Sequence, residues 1–168
     1  MKSGGFTLIE LLVVTFIIVL LTALILPNYR SGDRALALQR SAYQLAQDLR
    51  RAQEMAISAH EFEGAVPAGY GVYLTESAAS QYILFADLDG SKNYDAGEEV
   101  ETLAFEQHVE IDVLSPASPL NIVFTPPDPT VWVNEASDAV GVIILSLESE
   151  PAKTQTVSVN SAGLIAVE

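Results

Sequence analysis

Two places in the chain carry residue types suited to chemistry. The first is Asp87-Leu88-Asp89-Gly90-Ser91-Lys92-Asn93-Tyr94-Asp95-Ala96-Gly97-Glu98. Counted from Asp87, oxygen-bearing side chains fall at positions 1, 3, 5, 9 and 12. That is the spacing by which a helix–loop–helix calcium loop gathers oxygens around one Ca²⁺. It makes Asp87, Asp89, Asp95 and Glu98 candidate calcium ligands. Lys92 stands where such a loop turns on Gly, and strand-like segments flank the run. The competing reading is an exposed hairpin loop, since Asp, Asn and Gly turn the backbone unaided. The second place is Glu10, the one charge between Phe6 and Leu26. A carboxylate on a membrane helix costs a few kcal/mol and is usually retained for a reason.

Other chemistry is scarce. The chain has no cysteine, which excludes disulfides, thiolate metal sites and thiol catalysis. His60 and His108 lie on separate segments without metal-ligand spacing and read as surface residues. No nucleophile elbow, phosphate loop, zinc-protease or dinucleotide motif occurs, and Gly69-Tyr70-Gly71 lacks a third glycine and a preceding strand. Trp132, between Val131 and Val133, reads as core or rim packing. Nothing in the sequence argues for an enzyme.

The elements that must hold these residues follow from periodicity. The run from Phe6 to Leu26, as helix, reaches about 31 Å, close to the hydrocarbon thickness of a bilayer. Its length and the absence of a small-residue cleavage pattern after it set it apart from a secretory signal peptide. Residues 31–58 continue as an amphipathic helix, with Leu38, Ala42, Leu45, Leu49, Ala52 and Ala56 at steps of four and three. Gly64, Pro67 and Gly69 close that stretch. Beyond it, short β segments are predicted at 70–75, 81–87, 99–105, 109–114, 121–125, 131–133, 140–147, 154–160 and 163–167. Pro116, Pro119, Pro126, Pro127 and Pro129 mark loops among them. The fold class is α+β: a long N-terminal helix, membrane-spanning in its first half, packed on an antiparallel sheet or small sandwich. The 168 residues divide into a leader (1–5), a transmembrane and assembly helix (6–29), an amphipathic helix (30–60) and an acidic β-rich body (61–168).

The segment Gly5-Phe6-Thr7-Leu8-Ile9-Glu10-Leu11-Leu12-Val13-Val14 resembles the class III signal of type IV pilins and type II secretion pseudopilins. The resemblance implies that a prepilin peptidase cuts between Gly5 and Phe6, removes Met1-Lys2-Ser3-Gly4-Gly5, and methylates Phe6. It implies that Glu10 pairs with the N-terminal amine of a neighbouring subunit, and that Pro27, followed by Asn28 and Tyr29, kinks or loosens the helix. The physical reading agrees: an amine at Phe6 and a carboxylate at Glu10 are each costly in lipid, and pairing offsets both. Gln44–Ile57 is similar to the later helix of H-type minor pseudopilins and related minor type IV pilins. The resemblance implies a non-enzymatic filament subunit whose partners are the peptidase, other pilin or pseudopilin subunits and the bacterial cytoplasmic membrane. The body would lie outside the cytoplasm and enter a periplasmic or extracellular filament. Only Lys2 and the initial amine precede the apolar run, whereas Arg30 and Arg34 follow it, so charge counting alone weakly favours the opposite orientation.

The charge balance narrows the partners. Residues 1–58 carry six basic and four acidic residues, +2; residues 59–168 carry Lys92 and Lys153 against eighteen acids, −16. A body so acidic repels phosphate backbones, making nucleic acid an unfavourable partner. The remaining alternatives are a minor pilin for DNA uptake, which wants a basic patch, a major pilin, which commonly carries a C-terminal disulfide, and a membrane-tethered calcium module that does not polymerise.

Overall fold

The computed structural model describes residues 5–126 and 130–168, with the side chains of 25–31 left out. Met1–Gly4, Pro127 and Pro129 therefore lie outside the described residues, as do the side chains of Pro27, Asn28 and Tyr29.

One helix, α1 (Leu8–Ile57), takes in both helical stretches expected from sequence. The helical backbone runs through position 27: losing one donor leaves the flanking intrahelical bonds to carry the helix on. Among the described residues no helix is long and apolar enough to cross a membrane. The chain separates into two compact units, the first ending at Leu36 and the second beginning at Ala37.

In the first unit the apolar side chains from Phe6 to Leu24 are exposed. In the second unit α1 buries the stripe anticipated from spacing: Leu38, Ala42, Leu45, Leu49, Ala52 and Ala56 are shut off from solvent. The helix stops where Ala59 adopts a left-handed φ of 49°. His60 N–H then donates to Met55 O at 3.0 Å and Ala59 N–H to Ala56 O at 3.2 Å, a Schellman closure built without glycine.

Nine strands follow among the described residues, and every named pairing is antiparallel. β1 (Gly69–Leu74), β2 (Gln81–Asp87), β3 (Glu99–Ala104), β5 (Leu120–Thr125) and β6 (Thr130–Val133) form one sheet, ordered β3-β2-β1-β5-β6. β4 (Val109–Ser115), β7 (Gly141–Leu147), β8 (Glu150–Val159) and β9 (Ile165–Val167) form the second, ordered β4-β7-β8-β9. The α+β class and the strand positions match the sequence reading, except that β8 begins at Glu150 rather than 154. Of its extra residues Glu150 is half-buried and Pro151, Ala152 and Lys153 are exposed, so no alternating burial pattern betrays them.

Alternation along the first sheet sends Tyr70, Val72, Leu84, Ile122 and Phe124 into the core with the helix stripe. Phe85 and Val123 are equally buried yet stand outside that core, on the opposite face. Gly71 makes room for the Phe85 ring: a β-carbon there would meet Phe85 at 2.9 Å.

Candidate functional site

The N-terminal site is built on the first turn of α1. Thr7 N–H donates to Glu10 Oε2 at 2.8 Å, and Thr7 Oγ1–H donates to the same oxygen at 2.7 Å. Glu10 N–H returns to Thr7 Oγ1 at 3.3 Å. This reciprocal arrangement is a capping box, which satisfies helix-start donors that otherwise have no partner. Phe6, Ile9, Glu10, Val13 and Val14 line one concave face, as the helical period dictates. Gly5 is exposed, and a β-carbon built on it meets nothing within 4 Å. Phe6 and Glu10 therefore share one exposed face, and Gly5 precedes them in the chain, whereas the side chain of Pro27 lies outside the described residues.

The acidic loop joins β2 to β3. Asp87, Asp89 and Glu98 each present a carboxylate oxygen, and the three lie within 4.8 Å of one another. Asp95 enters through its backbone, donating N–H to Glu98 Oε2 at 3.0 Å. The other Glu98 oxygen accepts Leu88 N–H at 2.8 Å. Asp87 accepts Gly90 N–H at 2.8 Å and Lys92 N–H at 3.2 Å, one on each oxygen. The carboxylates thus close the loop's own turns. Burial pushes the Asp87 carboxyl up, against the lowering effect of the Lys92 and Gly90 N–H groups. Exposed Asp89 is lowered, chiefly by Ser91 N–H, which it accepts at 2.9 Å.

The tip of this loop is fastened to the sheet by Asn121, a buried residue of β5. Its Oδ1 accepts Tyr94 N–H at 3.0 Å and its Nδ2 donates to Asn93 Oδ1 at 3.2 Å. Its backbone N–H donates to Asn134 Oδ1 at 2.8 Å, and its carbonyl accepts Asn134 N–H at 3.0 Å. Tyr94 packs edge-on against Phe85, with ring centroids 5.6 Å apart, and Lys92 Nζ lies 4.8 Å from the Trp132 ring centroid. The loop is therefore the cover over the outer face of the first sheet.

Both histidines are exposed. His108 Nδ1 is 3.2 Å from Glu148 Oε2, and the His60 carbonyl accepts Tyr70 O–H at 2.8 Å. Neither belongs to the acidic group, the only set of three metal-ligating side chains found close together among the described residues.

Residues 1–26 match the family described as prokaryotic N-terminal methylation motif. The pilin-like protein PilA1 of Thermus thermophilus is 36% identical over 107 residues, which is 64% of this chain and 63% of that protein. The chain thus aligns with just under two thirds of that relative's length. Two crystal forms of the type IV minor pilin FimU of Pseudomonas aeruginosa strain PAO1 share the fold, with TM-scores of 0.57 and 0.56 at 14% identity. They cover 78% of this chain and 87% and 92% of FimU. The chain is thus similar to a pilin-like protein in sequence and to a type IV minor pilin in fold.

Three fastening contacts go beyond the sequence reading: Thr7 with Glu10, Asn121 with the loop, and Tyr82 with Asp48. Thr7 was legible, because Thr followed three residues later by Glu before an apolar run is a capping signature. Asn121 and the buried Tyr82 bonded to Asp48 carry no local signal, since each partner comes from a distant segment.

Proposed function

We propose that this chain is a structural, non-catalytic subunit of a bacterial pilus-like filament, cut after Gly5 and methylated at Phe6. The run Phe6–Leu26 holds the precursor in the cytoplasmic membrane with the body outside the cytoplasm. On assembly, Glu10 meets the Phe6 amine of a neighbouring subunit, and the position of Pro27 adjusts the helix. The observation that carries this reading is a methylation motif running directly into one helix whose later part is docked on a β body. The leader, apolar helix, amphipathic helix and body then have the four successive roles anticipated from sequence.

Within that class we assign the chain to the minor subunits, most similar to the H-type pseudopilins of type II secretion, with a type IV pilus as the alternative host. The fold shared with the minor pilin FimU supports a minor subunit. The mass and N-terminal residue of the protein from its native membrane test the processing: an N-methylated Phe6 is expected, and an intact Met1 beside processed prepilins overturns it. Deleting the gene separates the hosts, since loss of enzyme secretion with pili intact marks the secretion system.

A second proposal concerns the acidic loop. The convergence of Asp87, Asp89 and Glu98, with Asp95 adjacent in the loop, favours one Ca²⁺ held there. Calorimetry on the detergent-solubilised chain tests it; no heat at millimolar Ca²⁺ rejects it.

A further inference from the structure

The acidic loop is fastened differently at its two ends. Its stem belongs to the first sheet: Ala86 N–H donates to the Glu98 carbonyl at 2.9 Å and Ala68 N–H to the Asp87 carbonyl at 2.8 Å. Its tip has no such tie, for among the described residues no backbone–backbone bond joins 89–94 to another segment. Side chains hold the tip instead: the Asn121 amide, and Glu135 Oε1, which accepts from Asn93 Nδ2. Glu135 itself sits in a strained turn. Val133 and Ala136 exchange backbone bonds at 2.9 Å and 3.0 Å across it, and its two central residues, Asn134 and Glu135, have left-handed φ of 46° and 67°. Asn followed by Gly suits such a turn; a glutamate in the second place is held there only by its surroundings.

We infer that residues 88–98 form a strap across the outer face of the first sheet, hinged at its stem and latched at its tip, with Glu135 as the latch. Local opening begins where the fewest backbone bonds must break, so the tip leaves before the stem. Opening lifts Tyr94 from Phe85 and Lys92 from Trp132. It uncovers a face that holds the buried Phe85 and Val123, with Trp132 opposite Val123 in the β5–β6 ladder. The strain at Glu135 then has a reason: the turn sets its carboxylate against Asn93, and Asn93 passes the hold on to Asn121. The stem carboxylates Asp87, Asp89 and Glu98 play no part in the latch, so the inference does not rest on the calcium reading.

The test uses the detergent-solubilised full chain in EDTA. It compares hydrogen exchange at Tyr94, in the tip, with that at Ala86, in the stem, and follows acrylamide quenching of Trp132, the chain's single tryptophan. Glu135→Gln keeps an oxygen for Asn93, and Tyr94 exchange is expected within about twofold of wild type. Glu135→Ala and Glu135→Gly remove that oxygen. In both, Tyr94 exchange is expected to rise about fivefold while Ala86 stays as it was, and Trp132 to be quenched more readily. Glu135→Gly also relieves the backbone, so it should unfold at a higher urea concentration than Glu135→Ala while its tip is equally loose. Unchanged Tyr94 exchange in the Ala and Gly variants overturns the latch. An equal rise at Tyr94 and Ala86 overturns the hinge, since the loop then opens as one piece. A Gly variant no more stable than the Ala variant shows that the turn carried no strain, and removes the reason given for a glutamate there.

Discussion

Asn121 shows how one buried side chain fixes a whole loop. Its amide satisfies Tyr94 N–H and Asn93 Oδ1, and its backbone is bonded to Asn134. Asn121→Ala leaves the Tyr94 donor without its partner beneath a packed ring. We expect a loss of about 2–3 kcal/mol in urea unfolding, the cost of orphaning buried polar groups. Hydrogen exchange at Tyr94 should rise by more than that at core strands; equal protection in the variant would show that the loop is held by its carboxylates alone. Ala59 makes the converse case. It occupies a left-handed position that glycine adopts freely, so Ala59→Gly is expected to stabilise the second unit by about 0.5–1 kcal/mol. A lowered unfolding midpoint would contradict this. The acidic spacing at 87–98 was plain in sequence, but its partners were not. Spacing along a chain tells which oxygens lie near one another, not which backbone N–H groups already occupy them.

At the scale of elements, the helix stripe and all nine strands were legible, because burial on one face imposes a period of 3.6 or 2 on the residues. What periodicity omits is the polar contact between elements. Tyr82 of β2 donates its hydroxyl to Asp48 of α1 at 2.5 Å. Tyr82→Phe is expected to cost about 1–2 kcal/mol near pH 8, as for a bond to a charged acceptor. The same contact sets a pH dependence. Burial, helped by the Asp48 hydrogen bond and charge, pushes the Tyr82 hydroxyl far above its usual range, and burial also raises Tyr70. Below about pH 10 both tyrosines are protonated folded or unfolded, so their contribution is constant. Above it the unfolded chain ionises first, and stability is lost as pH climbs, by at most about 1.4 kcal/mol per unit for each group. Urea midpoints between pH 9 and 11 should therefore fall less steeply in Tyr82→Phe than in wild type. An unchanged slope would mean that Tyr82 ionises while folded.

At the scale of the whole molecule, charge separates what the two parts of the chain can meet. The basic excess is confined to residues 1–58, and three of its arginines are already engaged within the second unit: Arg51 with Glu101 at 2.7 Å, Arg40 with Glu106 at 3.6 Å and Arg50 with the Ile165 carbonyl at 3.3 Å. Of the body's two lysines, Lys92 donates to Gly90 O and lies over Trp132, and Lys153 pairs with Glu150 at 2.7 Å. A DNA-binding surface releases counterions by placing several cations against phosphates, and its affinity falls steeply with salt for that reason. Residues 59–168, at −16, offer no such set and repel the duplex over about a Debye length, roughly 10 Å at 0.1 M salt. The detergent-solubilised chain is therefore expected to leave a labelled duplex unshifted in a gel at micromolar protein, with no gain on lowering salt from 150 to 50 mM. Retardation that strengthens as salt falls would place a phosphate-binding surface on this molecule after all. It would move the filament reading toward DNA uptake, with the arginines of α1 as the first residues to replace.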